Sequence, residues 1–274
     1  MRNFFNYIDR PSPIHRMTGA SKFVCLLLWS TAAMITYDTR LLALMPVLGL
    51  VFFFFAKIRL KDVSFTMGLV GAFLGINLIL LYLFSPDHGT EIYGTRHVLF
   101  GGGYFVVTAE TLFYLLNYVL KFISFIPIVL LFVCTTNPSE FAASLNRIGI
   151  PYTIAYAVAL ALRYIPDIRE DYHEISQAQQ ARGIELSKKG GLIRRLKGAA
   201  SILVPLVMSS VARIEVISNA MELRSFGKKR KRTWYMARPF RALDIIAILF
   251  TALLVVAAIV LNIMNGSRFY NPFV

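Results

Sequence analysis

Three carboxylates in this chain could do chemistry: Asp167, Glu170 and Asp171. Three and four residues apart on a helix, they share one face. Acids grouped in this way can hold Mg²⁺. The same trio also reads as a solvated face, with Arg163 and Arg169 near enough to offset its charge. A second candidate is a polar face inside an apolar run. Glu110, Tyr114, Asn117, Lys121 and Ser124 repeat at intervals of 4, 3, 4 and 3 residues. Charges at such depth are costly and usually face protein or water. This face is either a polar membrane path or the site of a lysine that snorkels or pairs with a neighbouring helix's carboxylate. There is no G-x-x-x-x-G-K-[ST] loop, no H-E-x-x-H and no cysteine cluster. Gly19-Ala20-Ser21-Lys22 is too short to cradle a phosphate, and Cys25 and Cys134 sit alone in apolar runs. The expectation is no catalytic residue, no metal and no cofactor in this chain.

What remains is a pair of arginines. One helical stretch closes with Gln179-Gln180-Ala181-Arg182-Gly183 and another with Met221-Glu222-Leu223-Arg224-Ser225-Phe226-Gly227. In each, an arginine sits in the last turn and a glycine follows. A permanent charge with five donors suits an acidic groove on a partner. An arginine at a helix C-terminus also complements the helix dipole, worth about 0.3–1 kcal/mol. For one tip the second account suffices; two matching tips favour docking. Both helices could also lie flat on lipid.

The elements that carry these residues are mostly apolar. The chain is 57% hydrophobic with a mean hydropathy of +0.60, above the usual composition of soluble domains. Its net charge of +14 would suggest nucleic acid in a soluble protein, but no nucleic acid is expected for a chain of membrane runs. A spanning helix takes about 20 apolar residues for a core of roughly 30 Å. Phe23 to Tyr37 and Leu41 to Ala56 are each slightly short and read as a hairpin turning at Asp38 to Arg40. Phe65 to Phe84 is a third span, with Gly68, Gly71 and Gly75 on one face for close helix packing. Ser85 to Gly103 reads as a Gly-rich polar loop, and Leu112 to Cys134 as a fourth span. Thr135 to Gly149 is polar. From Pro151 two units share one plan: an apolar half, a proline (Pro166 or Pro205) expected to bend or break the helix, and a charged half ending in arginine. Gly190-Gly191 marks the turn between them and Lys228–Arg232 is a basic block. Ala242 to Ile263 is the last span. The fold class is therefore all-α: a polytopic membrane protein of about five spans, with a cytoplasmic domain of two long kinked helices. The domains are 1–134, 135–241 and 242–274.

Basic residues set an expected orientation. Arg2, Arg10, Arg16, Lys22, Lys57, Arg59, Lys61 and all 18 Lys and Arg from Arg147 to Arg241 fall on one side. Only Arg40, Arg96 and Arg268 fall on the other. By the positive-inside rule the N-terminus is cytoplasmic and the C-terminus outside.

These residues resemble the transmembrane T component of energy-coupling factor (ECF) transporters, the EcfT or CbiQ-like family. The resemblance covers nearly the whole chain. It is carried by Ser176-Gln177-Ala178-Gln179-Gln180-Ala181-Arg182-Gly183, by Arg163-Tyr164-Ile165-Pro166, and by the entry Thr136-Asn137-Pro138-Ser139 with Leu145 and Pro151. The family's second short motif maps to Leu223-Arg224-Ser225, where leucine and serine replace the family's alanine and glycine. The resemblance implies a non-catalytic subunit of a bacterial or archaeal cell membrane. It implies that Arg182 and Arg224 dock into two ABC-type ATPase subunits, which bind the ATP. It also implies that a substrate-binding S component for a vitamin, related micronutrient or metal ion sits on the coupling helices. A rival reading is a membrane-embedded enzyme acting on a lipid or prenyl diphosphate through paired acids and Mg²⁺. It needs two aspartate-rich motifs, and the chain has one cluster. A self-sufficient secondary transporter would need inverted repeats at mid-membrane, whereas the repeat here is parallel in sense.

Overall fold

The computed structural model describes residues 12–101, 106–184, 192–228, 234 and 238–273, with backbone alone at 60, 62, 138, 139 and 192–195. Arg2, Arg10, Gly190-Gly191 and most of the Lys228–Arg232 block lie outside the described residues. The elements in order are α1 (Gly19–Ile35), α2 (Thr39–Phe55), α3 (Leu60–Phe84), α4 (His88–Tyr93), β1 (Val98–Phe100), β2 (Val107–Thr108), α5 (Ala109–Thr135), α6 (Pro138–Arg147), α7 (Tyr152–Ala181), α8 (Leu192–Leu223) and α9 (Ala242–Met264). They form two compact units, one from the chain up to Asn137 and from Arg238 onward, the other Pro138–Ala237.

In the first unit α1 packs on α9 and on α5, and α2 on α5. Trp29, Ala32, Ala33, Leu41, Met45, Ile128, Leu254 and Ala258 form its core. Small residues let the helices close up. At Gly49 an added Cβ would stand 3.2 Å from Pro127 of α5. The indole N–H of Trp29 donates to the Ser124 carbonyl at 3.0 Å, so the largest core side chain has its one polar atom satisfied by α5. α3 is long and apolar enough to span, yet its most apolar stretch is nowhere buried within the chain. A Cβ added at Gly68, Gly71 or Gly75 would have no neighbour within 4 Å, so the helix partner of this face is not another described segment of this chain.

α3, α5 and α9 are long and apolar enough to cross a membrane, and α1 and α2 are shorter apolar helices. At 17 residues each, α1 and α2 reach about 26 Å, just under a bilayer core. The residues from Leu196 to Leu223 in α8 also meet the length and hydropathy of a span. This is a multi-pass, all-α membrane protein. The hairpin turn falls two residues earlier than expected, at 36–38. Asp38 is the N-cap of α2, its carboxylate accepting from Arg40 N at 2.9 Å, so Thr39 and Arg40 already belong to the helix. The Ser85–Gly103 loop is also more structured than expected. It holds α4, and β1 pairs antiparallel with β2. Gly89 lets α4 lie against α5, since a Cβ there would meet the Thr111 backbone at 2.5 Å.

Candidate functional site

The Pro138–Ala237 unit is built on α7 and α8, with α6 packed against α7. α6 itself arises from a stretch whose sequence reads only as polar. Neither Pro166 nor Pro205 breaks its helix: α7 runs 30 residues and α8 32, each with its proline inside. A proline forfeits one backbone hydrogen bond, and both helices tolerate that loss. Both prolines are exposed, so their rings clash with nothing across the pair.

The two helices run antiparallel. Tyr156 of α7 packs on Phe226, just past α8, with ring centroids 4.8 Å apart. Midway, Asp171 of α7 meets Arg213 of α8, Arg213 donating to Asp171 Oδ2 at 2.8 Å. Towards the other end, the Gln179 amide donates to the Ser201 carbonyl at 3.0 Å. Each step up α7 is matched by a step back down α8. The apolar first half of α7 therefore faces the amphipathic second half of α8. Ile214, Ile217 and Met221 line one wall of a groove of about 390 Å³ whose other wall includes Ala157, Leu160 and Ile168. The halves divided by the prolines do not meet like with like.

This pairing puts Arg182 and Arg224 at opposite ends. From the level of Tyr156, beside Phe226, to Arg182 is roughly 40 Å at 1.5 Å per residue. The backbone around the two arginines is the same. Arg182 N reaches Ala178 O at 3.2 Å, Gly183 N reaches Gln180 O at 2.9 Å, and Ile184 N reaches Gln179 O at 3.0 Å. Arg224 N reaches Ala220 O at 3.2 Å, Ser225 N reaches Glu222 O at 2.9 Å, and Phe226 N reaches Met221 O at 3.0 Å. Each is a Schellman cap, with arginine as the C-cap and the next residue left-handed. Gly183 has φ 82° and Ser225 φ 55°. The counterpart of Gly183 is thus Ser225 and not Gly227, the glycine that first marks the repeat in sequence. Both arginines are exposed, as are Ala181 and Leu223 beside them. Leu223 is 88% exposed, a large apolar surface presented at a helix tip.

Two of the three acids, Asp167 and Asp171, face an arginine of α8. Arg213 binds Asp171 and lies 3.8 Å from Asp167 Oδ2, joining α7 to α8. Among the described residues no cluster of His, Cys, Asp or Glu could hold a metal ion. The three paired side chains are 22–49% exposed, so the pairing is worth about 0.2–1 kcal/mol, as for other solvent-screened pairs. The sequence gives little sign of Arg213, because its partner Asp171 lies 42 residues away. Its one signal is a cation on the apolar stripe of α8.

The polar face of α5 is a hydrogen-bonded seam. Glu110, Asn117 and Ser124 are fully buried. Glu110 Oε1 lies 2.6 Å from His97 Nδ1 and also accepts from His97 N. Asn117 Oδ1 accepts from the Thr39 hydroxyl at 2.7 Å. The Ser124 hydroxyl lies 3.2 Å from Leu42 O. Among the described residues Lys121 pairs with no carboxylate. Its ammonium stands 3.8 Å from the centre of the Tyr37 ring, a cation–π contact, and donates to Met34 O at 3.3 Å.

Asp244 is equally inconspicuous in sequence, as one aspartate at the start of an apolar run. Its carboxylate accepts from Thr18 N at 2.8 Å, from the Thr18 and Ser21 hydroxyls, and from Arg241 N at 2.8 Å. It caps α1 and α9 together. Ser21 and Lys22 belong to the first turn of α1, and Lys22 donates to Thr135 O at 2.8 Å. Cys25 and Cys134 are buried, and neither is in a disulfide among the described residues.

Residues 10–235 match the cobalt transport protein family CbiQ. The chain is similar to the energy-coupling factor transporter transmembrane protein EcfT of Leuconostoc gelidum subsp. gasicomitatum, 32% identical over 215 residues, 74% of this chain and 76% of that one. It is 27% identical to the EcfT of Lactococcus lactis subsp. cremoris over 266 residues, 94% of each chain. The EcfT of Bacillus subtilis is 26% identical over 241 residues, 84% of this chain and 86% of that one. These matches, with the all-α membrane fold, place the chain in the CbiQ family, alongside the transmembrane EcfT proteins of energy-coupling factor transporters.

Proposed function

We propose that this chain is the membrane scaffold and energy-coupling subunit of an ECF-type importer. Arg182 and Arg224 each dock into one of two ABC-type ATPase subunits, which bind and hydrolyse the ATP. An S component seated on the apolar face of the coupling helices carries the vitamin, related micronutrient or metal ion. The chain itself holds no cofactor and does no catalysis. Its N-terminus lies in the cytoplasm and its C-terminus outside, as its basic residues favour.

One observation supports this reading most: the same arginine-bearing cap stands at both ends of one antiparallel helix pair. A dipole-complementing arginine needs no such repetition, since either helix would gain its fraction of a kcal/mol alone. Two subunits held side by side need two equivalent contacts at a fixed spacing. The exposed Leu223 beside Arg224 adds apolar area that a docking groove would cover. The pairing of Asp167 and Asp171 with Arg213 counts against the Mg²⁺-dependent enzyme reading. Arg182→Glu with Arg224→Glu should abolish co-purification of the ATPase pair while the chain stays in the membrane. Undiminished co-purification would contradict the docking role.

A further inference from the structure

The membrane body holds a cleft of about 530 Å³ between α1, α2, α5 and α9, and docking of the arginine tips gives it no task. We propose that this cleft binds one anionic phospholipid, with an acyl chain inside and the phosphate at a rim of arginines and lysines. The site lies wholly in the first unit and does not depend on the docking function.

The walls call for hydrocarbon. Met17, Trp29, Phe52, Leu131 and Phe250 are among them, and Lys22 and Thr251 bring the strongly polar groups. Both are already engaged. The Lys22 ammonium donates to Thr135 O at 2.8 Å, and the Thr251 hydroxyl lies 3.0 Å from the carbonyls of Ala247 and Ile248. A polar ligand buried there would give up its hydrogen bonds to water with little in return. The cleft also follows the helix axes. It reaches from Lys22 to Trp29 on α1, from Leu48 to Phe55 on α2 and from Leu243 to Thr251 on α9, each roughly 10–12 Å at 1.5 Å per residue. Acyl chains lie in that direction beside spanning helices, and this length fits within one leaflet of a core of roughly 30 Å. Phe55 and Ile246 on the walls are 55% and 60% exposed, so the cleft opens outward, where lipid meets the body.

The rim selects the headgroup. The cleft ends where α1 and α9 begin and α2 stops, and basic residues gather there. Arg16 sits between the lining residues Ile14 and Met17, Lys57 follows Phe55 by two residues, and Arg241 precedes Leu243 by two. All three are exposed, as are Arg59, Lys61 and Arg238. Acids at this end are few. Residues 12–22, 56–62 and 238–244 contain only Asp62 and Asp244. Asp244 is fully buried, and its oxygens accept from Thr18, Ser21 and Arg241 N. A rim so weighted toward cations attracts an anionic headgroup, each cation near an anionic surface contributing about fivefold in affinity. A zwitterionic headgroup, whose own cation faces the same rim, gains much less.

Trp29, on the cleft wall, supplies the test. Trp234→Phe leaves it as the one tryptophan of the full-length chain. The chain is reconstituted in phosphatidylcholine vesicles that carry either phosphatidylglycerol or phosphatidylcholine with dibrominated acyl chains, at equal mole fraction. Bromine quenches indole fluorescence at short range. Trp29 is fully buried within the chain, so a lipid that merely surrounds the body reaches it poorly. Brominated phosphatidylglycerol should quench Trp29 more strongly, with a preference of about fivefold or more. Arg16→Gln, Lys57→Gln and Arg241→Gln together should remove most of that preference and leave quenching by phosphatidylcholine unchanged. Ala247→Phe, which fills the cleft from its α9 wall, should weaken quenching by phosphatidylglycerol with the rim intact. Equal quenching by the two lipids in the parent chain would overturn the proposal, as ordinary bilayer contact. So would a preference that survives the triple substitution undiminished, or quenching that Ala247→Phe leaves unchanged. Quenching by neither lipid would overturn it too, since the cleft would then be shut or filled by a protein segment.

Discussion

Ser225 holds a left-handed backbone where α7 uses Gly183 for the same turn. Glycine adopts that conformation without a Cβ penalty, whereas other residues incur about 1 kcal/mol or more. The strained member of the pair is therefore the α8 cap. Ser225→Gly should stabilise the protein by up to about 1 kcal/mol, and Gly183→Ser should destabilise it by a similar amount. Thermal unfolding of the detergent-purified chain reads both, as a higher and a lower Tm. Equal Tm values for both variants would mean that the caps contribute nothing to stability. At this scale the sequence is partly legible. Both arginines stand out from their neighbours. The matching of Ser225 with Gly183 needs the backbone, because the Gly227 that draws the eye lies two residues too late. Spacing puts Glu110, Asn117 and Lys121 on one face of α5. Their partners His97, Thr39 and Tyr37 come from other segments, and spacing along one helix carries no trace of them.

Among the elements, the long apolar helices are legible to within a few residues, because hydropathy over a whole span is a strong signal. The short elements are not. β1 and β2 hold only three and two residues, too few for alternation to show, and α4 lies among turn-forming residues. The prolines do not end their helices: α7 and α8 continue through Pro166 and Pro205, and both rings are exposed. Asp244 shows how one residue can join two elements from opposite ends of the chain. It accepts hydrogen bonds from the start of α1 and from the N-cap of α9. Hydrogen bonds to a charged acceptor are worth about 1.5–3 kcal/mol each, with losses partly shared among several. Asp244→Ala should therefore destabilise the first unit by about 2–4 kcal/mol. The measurement is the Tm of the purified chain. An unchanged Tm would show that water or a neighbouring residue replaces the carboxylate.

The whole molecule divides its work between two units. One binds α1, α2, α5 and α9 into a membrane body that also carries α3. The other is an antiparallel helix pair with an arginine cap at each end. Of the net charge of +14, +8 falls in Pro138–Ala237 and +6 in the rest of the chain. The antiparallel register is invisible in the sequence, because it depends on contacts between residues far apart along the chain. It sets the two tips apart and places Arg213 between them; under the docking proposal, the repeated ending becomes a pair of contacts at fixed spacing. The most direct test of that claim is site-specific photo-crosslinking in native membranes. A photoreactive amino acid at Ala181, and separately at Leu223, sits beside each arginine without replacing it. The account predicts that each position crosslinks to an ATPase subunit, and that Arg182→Glu or Arg224→Glu removes the adduct at its own tip. Crosslinks at both positions only to lipid, or to this chain itself, would contradict it.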